Sequence, residues 1–239
     1  MSPDLPDPRP GPQKQAALVQ AMFDRVAPRY DLANTLLSLG QDRHWRRVAA
    51  RAAEVGPEDV VADVAAGTGA LSRELQAHGA RVVALDFSLN MLRAGATRDD
   101  TADRIAWVNG DGMRLPLPDA GVDAVTIGFG LRNLPDPQAG LAEFARVVRP
   151  GGRLVVLEFS HPVWPPLRAV YTRYLVGALP HAAKLVTSDP AAYRYLAESI
   201  QEWPGQAELA ELIAKAGWTG VRWKNLTGGI VAVHQAVRP

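Results

Sequence analysis

Apolar positions change period several times along the chain, and each change marks an element. From Lys14 to about Ala53 they fall at helical spacing: Leu18 and Met22, then Leu32, Leu36 and Leu37, then Trp45, Val48, Ala49 and Ala52, with breaks at Pro28 and Gly40. That pattern predicts N-terminal helices, because a helix returns the same face to the core about every 3.6 residues. Apolar runs too short for buried helices then alternate with helical stretches. DVVADV (59–64) precedes ALSRELQAHG (70–79), where Gly79 is a helix stop. RVVALD (81–86) precedes SLNMLRAGATR (88–98), with Ser88 as N-cap.

The alternation continues. RIAWVNGD (104–111) leads through a loop to VDAVTIGFG (122–130), PQAGLAEFARVV (137–148) predicts a helix with proline at its start, and RPGGRLVVLEFS (149–160) a turn plus strand. A helical insertion spans roughly 164–216, and WTGVRWKNL (218–226) and GGIVAVHQAV (228–237) are spaced as a closing hairpin. Strand–helix alternation predicts parallel βαβ units. The expected architecture is an α/β, Rossmann-like doubly wound sheet with N-terminal helices, a helical insertion and a terminal antiparallel hairpin. The expected divisions are a Pro-rich leader (1–13) and a single domain (14–239). Within it lie a helical cap (14–54), a cofactor-binding core (55–160), an insertion or lid (161–217) and the hairpin (218–239).

Ligands of such sheets bind outside the carboxyl ends of the strands. Asp63, Ala65, Gly67, Thr68 and Gly69 follow the first strand, Asp86 ends the second, Asp111 the third, and Gly128 through Asn133 the fourth. Each is ordinary turn chemistry alone; four strands delivering such residues to one rim is a site. A pyrophosphate wants bare amides at a helix N-terminus and no carboxylate nearby. S-adenosylmethionine carries no phosphate; its sulfonium and ammonium suit Asp63, and an adenine amine suits Asp111. Asp86, 17 residues beyond Gly69, takes ribose hydroxyls in either case. The acids favour the sulfonium cofactor over NAD.

Composition narrows this further. The chain has 239 residues, enough for one sizeable core, and no cysteine, which excludes disulfides, thiolate metal sites and a cysteine nucleophile. Net charge of +1 gives no field suited to nucleic acid, and the five histidines show no metal-ligand spacing. MSPDLPDPRPGPQ has five prolines in its first twelve residues and does not read as a signal peptide. With no long apolar run, the expected location is cytoplasmic, with contact at the inner face of the membrane as a further option.

Several stretches resemble class I S-adenosylmethionine-dependent methyltransferases, and among them the quinol C-methyltransferases of menaquinone and ubiquinone synthesis. They are MFDRVAPRYDLANTLLSLGQDRHWRR (22–47), DVAAGTG (63–69), FGLRNLPD (129–136), LEFSHP (157–162), YRYLAESIQEWPGQ (193–206) and NLTGGIVAVH (225–234). DVAAGTG is shared by many methyltransferases, whereas FGLRN together with YRYLAESI is specific to this family. The resemblance implies a seven-stranded class I fold and methyl transfer to a ring carbon of a prenylated quinol. By position, Thr68 and Asp86 would hold the methionine part and ribose, and Asp111 with Gly112 the adenine; Phe87, Met91 and Gly128 complete the expected cofactor set. Ala70, Ala66 and Gly128 depart from the residues usual in the family, and two of these changes remove hydrogen-bonding side chains near the cofactor.

The chemistry asks for a base, or for a cation that stabilises a phenolate. Arg132 in the FGLRN loop is the candidate cation, with a structural pair to a loop carboxylate as its alternative. Tyr195 and Tyr193 lie two apart on a helical segment, so only one can face the site. His161, in SHP, is a candidate proton acceptor; His234 reads as architecture. The stripe Leu167, Val170, Tyr171, Tyr174, Leu175 and Ala178 is either core-facing or a greasy mouth for the prenyl tail, with Arg168 and Arg173 beside it. The expected acceptor is demethylmenaquinol. A ubiquinone-pathway benzoquinol or a secondary metabolite is an alternative, and a non-catalytic quinone- or partner-binding protein is another. The sequence leaves the oligomeric state open, with a homodimer as one option.

Overall fold

The computed structural model describes Thr35 and residues 38–98, 104–174 and 190–239, the side chains of 190–194 excepted. The expected leader, most of the first predicted helices, His181 and the Leu175 and Ala178 part of the apolar stripe lie outside the described residues.

Seven strands form one mixed sheet in the order β3-β2-β1-β4-β5-β7-β6. They are β1 (Val60–Val64), β2 (Arg81–Asp86), β3 (Ile105–Asn109), β4 (Val122–Gly128), β5 (Val148–Phe159), β6 (Thr219–Leu226) and β7 (Val231–Val237). The first five pair in parallel, and β7 pairs antiparallel with both β5 and β6. The chain's direction across the sheet reverses between β1 and β4. That opens a crevice at their carboxyl ends, where two loops diverge to opposite faces. The predicted hairpin is present, its turn a short 3₁₀ segment over Thr227–Gly229.

Helices cover both faces because the central strands are largely apolar and buried on both; β1 reads VVADV, with its last four residues buried, Asp63 among them. On one face α1 (Gln41–Ala52) and α2 (Ala70–Ala77) contribute Trp45, Ala49, Leu71 and Leu75 to a cluster with Val61, Ala124 and Val233. On the other, α4 (Pro137–Val147) and α7 (Gln206–Lys215) bring Leu141, Phe144, Leu209 and Ile213 against Val125, Ile127 and Val156. Between them in the chain lie α3 (Leu89–Ala96), α5 (Pro165–Arg173) and α6 (Pro190–Glu202).

Ser88 caps α3 as the sequence predicts, accepting the Met91 amide at 3.2 Å. Pro137 opens α4 as expected, with Asp136 before it as a cap not singled out from the sequence, accepting the Ala139 amide at 3.0 Å. Strand β3 stops two residues short of Asp111, because Asp111 forms an isolated bridge with Arg114 in the following turn.

Candidate active site

The turn after β1 is built around one carboxylate. Asp86, closing β2, accepts the Gly67 amide on Oδ2 at 2.7 Å and the Ser88 amide on Oδ1 at 2.7 Å. It therefore ties the glycine turn to the neighbouring strand and to the start of α3. The Gly67 N–H is consumed by a carboxylate and is not presented to an anion, which argues against a pyrophosphate at this turn. Gly69 has φ +75°, and an added Cβ would lie 2.3 Å from the Trp107 ring, so glycine is required here for both backbone and space.

A cavity of about 160 Å³ opens at this rim. Asp86, Phe87, Met91, Asp111 and Gly112 line one end, and Gly128, Phe129, Gly130, Asn133 and Leu134 the other. Among the described residues its lining holds two acids and no base. Phe87 is 44% exposed at the rim, while Met91 is buried beneath it. Asp111 is exposed, lines the cavity and accepts the Met113 amide on Oδ1 at 2.8 Å. These residues fit an adenosine: carboxylates for ribose hydroxyls and an exocyclic amine, apolar side chains for the base, and no phosphate partner.

A second, smaller cavity of about 40 Å³ adjoins it, sharing Ala65, Gly67, Gly128 and Phe129 and adding Arg46, Asp63, Thr68 and Ala70. Asp63 is fully buried inside β1 rather than at its end, with Oδ1 accepting from the Thr126 hydroxyl at 2.7 Å and Oδ2 from the Ser72 hydroxyl at 2.6 Å. Burial pushes its pKa up from 3.8 to about 6, against the two hydroxyls and the nearby Arg46, which pull it down. An ammonium in this cavity would hold Asp63 ionised. All the cofactor-binding positions expected from the sequence except Gly69 line one of these two cavities. Gly69 packs against Trp107 and acts on the turn's shape.

The three expected catalytic residues are arranged otherwise. Arg132 is buried and ion-paired: its Nη1 donates to Glu158 Oε1 at 2.9 Å and to the Phe129 carbonyl at 2.5 Å, and its guanidinium lies 5.3 Å from the Phe159 ring centroid. Phe129 has φ +59°, a conformation an L residue holds only when its surroundings impose it. Arg132 thus fixes the wall shared by the two cavities, and its partner comes from β5 rather than from a loop. Tyr195 donates its hydroxyl to Asn133 Oδ1 at 3.2 Å and reaches the cavity only through that amide. Burial pushes its phenol pKa up, so at neutral pH it is a donor and not a base. His161 lines neither cavity; its Nε2 is 2.9 Å from the Trp203 carbonyl, which places the ring at the corner between α6 and α7. A histidine after a strand suggested a rim position, but His161 is held at that corner, where the Gln206 side-chain amide also donates to its backbone carbonyl at 3.0 Å. His234 is buried and stacked on Trp223, with ring centroids 5.8 Å apart. The Tyr193 side chain lies outside the described residues.

Arg46, Phe129 and Asn133 were not singled out as cofactor or catalytic residues. Asn133 sits in the FGLRN motif beside Arg132 and was legible there; Arg46 is one basic residue among several in QDRHWRR, with no local mark of its own.

Comparison with known proteins places this geometry. The demethylmenaquinone methyltransferase of Mycolicibacterium paratuberculosis (strain ATCC BAA-968 / K-10) is 58% identical over 221 residues, covering 92% of this chain and 94% of the relative. The protein of the same name from Mycobacterium tuberculosis (strain ATCC 25177 / H37Ra) is 55% identical, covering 92% of each. Among solved structures, the [4+2]-cyclase SpnF has a TM-score of 0.69 at 16% identity, covering 96% of this chain and 97% of its own. A SAM-dependent methyltransferase from Aquifex aeolicus has a TM-score of 0.55 at 17% identity, covering 77% and 84%. At those identities the structural likeness speaks to the fold alone. The family model described as the ubiE/COQ5 methyltransferase family matches residues 12–238, nearly the whole chain, and the chain belongs to that family.

Proposed function

We propose that this methyltransferase moves a methyl group from S-adenosylmethionine to a ring carbon of the prenylated naphthoquinol demethylmenaquinol, in menaquinone synthesis. The observation that carries the acceptor is the 55–58% identity, along nearly the full length of both chains, with relatives named for it. The two cavities support the donor. Asp86 takes the ribose hydroxyls, Asp111 and Gly112 the adenine edge, Phe87 and Met91 the ring faces, and Thr68 with Asp63 the methionine part.

S-adenosylmethionine, when bound, supplies a methyl already activated by its sulfonium charge. The chain's own work is alignment and charge control. The ring carbon is nucleophilic only once a neighbouring hydroxyl ionises, and a phenol of pKa near 10 is ionised to about one part in a thousand at neutral pH. Asn133, oriented by Tyr195, offers a hydrogen bond at the cavity wall. Arg132 acts from behind that wall by holding the Phe129 carbonyl and the turn that carries Asn133.

The tail needs an apolar approach. Val163, Trp164 and Val170 are 57%, 63% and 63% exposed around α5, and Arg168 anchors the segment through Nε to the Pro162 carbonyl at 3.1 Å. Among the described residues no helix is long and apolar enough to cross a membrane. We read α5 as lying against the bilayer surface, its apolar side chains toward the tail. Flotation with anionic vesicles tests this, and absence of lipid association sinks it.

Single-turnover assays with S-adenosylmethionine and reduced demethylmenaquinol, a demethylated benzoquinol and a small aromatic acceptor test the main reading. Fastest transfer to the naphthoquinol is the expected outcome. Preference for either other acceptor would overturn it, and loss of hydrogen-bonding side chains at Ala70 and Gly128 makes the small acceptor worth including.

A further inference from the structure

We infer that Arg46 binds the α-carboxylate of the methionine moiety of S-adenosylmethionine, in the small cavity behind Phe129. The inference rests on the cofactor reading above and extends it to a residue in α1, outside the sheet's rim.

The geometry starts from the shared wall. With adenosine between Asp86 and Asp111, the rest of the cofactor runs past Gly67 and Gly128 toward the second cavity, because those residues line both. An amino acid zwitterion arriving there needs an anion for its ammonium and a cation for its carboxylate. Asp63 and Arg46 both line that cavity, and Arg46 is the basic side chain in its described lining.

Arg46 is also held in place. Its Nη1 donates to Asp42 Oδ2 at 2.6 Å, and Asp42 itself accepts from Ser38 at 3.1 Å. Its guanidinium lies 5.9 Å from the Phe129 centroid, the same ring that Trp45 meets at 6.0 Å. Among the described residues Nε and Nη2 have no hydrogen-bond partner, so one edge of the fork is left for a carboxylate. An arginine with one nitrogen tethered and a free edge is the form that binds a carboxylate in two-point fashion. The side chain is only 12% exposed, which protects such a pair from solvent screening.

The test compares two ligands that differ at the group in question. S-adenosylhomocysteine carries the amino acid, whereas 5′-methylthioadenosine lacks it. Calorimetric titration of wild type and Arg46→Met with both should show S-adenosylhomocysteine weakened by about tenfold to a hundredfold, as for a lost charge-assisted hydrogen bond. Methylthioadenosine affinity should change by less than about twofold. Equal weakening of both ligands would make Arg46 a structural residue, and no weakening of either would remove it from the site; each result overturns the inference. Should the Met variant fail to fold, Arg46→Gln keeps a hydrogen bond to Asp42 and must show the same split. A wild type that binds neither ligand would instead overturn the cofactor reading itself.

Discussion

Arg132 and Glu158 face each other at 2.9 Å, with side chains 5% and 1% exposed, across 26 residues of sequence. Burial raises the Glu158 pKa despite the adjacent guanidinium, so the pair exists against a large desolvation cost. It joins the FGLRN turn to the end of β5 and so holds Phe129 in its left-handed conformation.

Removing the cation should expose that cost. Arg132→Met leaves a buried carboxyl alone and is expected to destabilise the fold by about 3–5 kcal/mol. Because a raised folded-state pKa gives stability that is lost as pH rises, the deficit should be smaller in acid than at neutral pH. Thermal melts across pH check this. The double variant Arg132→Met/Glu158→Gln should recover part of the loss; a double variant no better than the single would separate the two residues.

Asp63 carries the clearest pH signature. Its pKa is raised from 3.8 to about 6, chiefly by burial, so the folded state binds this proton more tightly than the unfolded one. Stability from this group is therefore full below about pH 4 and declines up to about pH 6, by on the order of 3 kcal/mol. Asp63→Asn, still able to bond Thr126 and Ser72, should be more stable than wild type at pH 7 and equal to it near pH 4. Its affinity for S-adenosylhomocysteine should fall, since the ammonium loses its counter-charge. In wild type the same affinity should drop as pH falls through about 6, and in the variant it should stay flat; titrations at three pH values decide.

Asp86 joins a structural task to a binding one. Asp86→Ala frees the Gly67 and Ser88 amides and removes the acceptor for ribose, so both the melting temperature and nucleoside affinity should fall. The affinity loss should reach about tenfold or more, as for leaving buried polar groups unpaired. Unlike Arg46→Met, this variant should weaken methylthioadenosine and S-adenosylhomocysteine alike. Unchanged nucleoside affinity would move the ribose elsewhere.

Gly128 lies in the wall common to both cavities, and its backbone does not need glycine. An added Cβ would meet Leu71 at 3.3 Å and Leu157 at 3.9 Å, a fit that asks the Leu71 side chain to give slightly. Gly128→Ser should thus cost less than about 1 kcal/mol and place a hydroxyl beside the cofactor, raising its affinity severalfold. Gly69→Ala is the contrast: the clash with Trp107 and the positive φ should cost about 1–3 kcal/mol. Parallel melts distinguish the two glycines.

The succession of elements was legible in the sequence because hydrophobic period and cap chemistry are local properties. Ser88 caps its helix and Pro137 opens the next where the pattern puts them, and the strands before Gly67, Asp86 and Gly128 deliver those residues to one rim by topology alone. The acids there also pointed to the cofactor's charge class, since carboxylates beside a glycine turn disfavour a pyrophosphate. What the tertiary structure decided was the direction of side chains and the company they keep. Asp63 lies inside its strand between two hydroxyls, one of them 63 residues away. Arg132 turns from the cavity toward Glu158, His161 meets the Trp203 carbonyl instead of the cavities, and Arg46 arrives from a helix on the sheet's face. Whether a charged side chain is solvated, paired or left for a ligand depends on neighbours distant in sequence, because burial and Coulomb partners are set by packing and not by period.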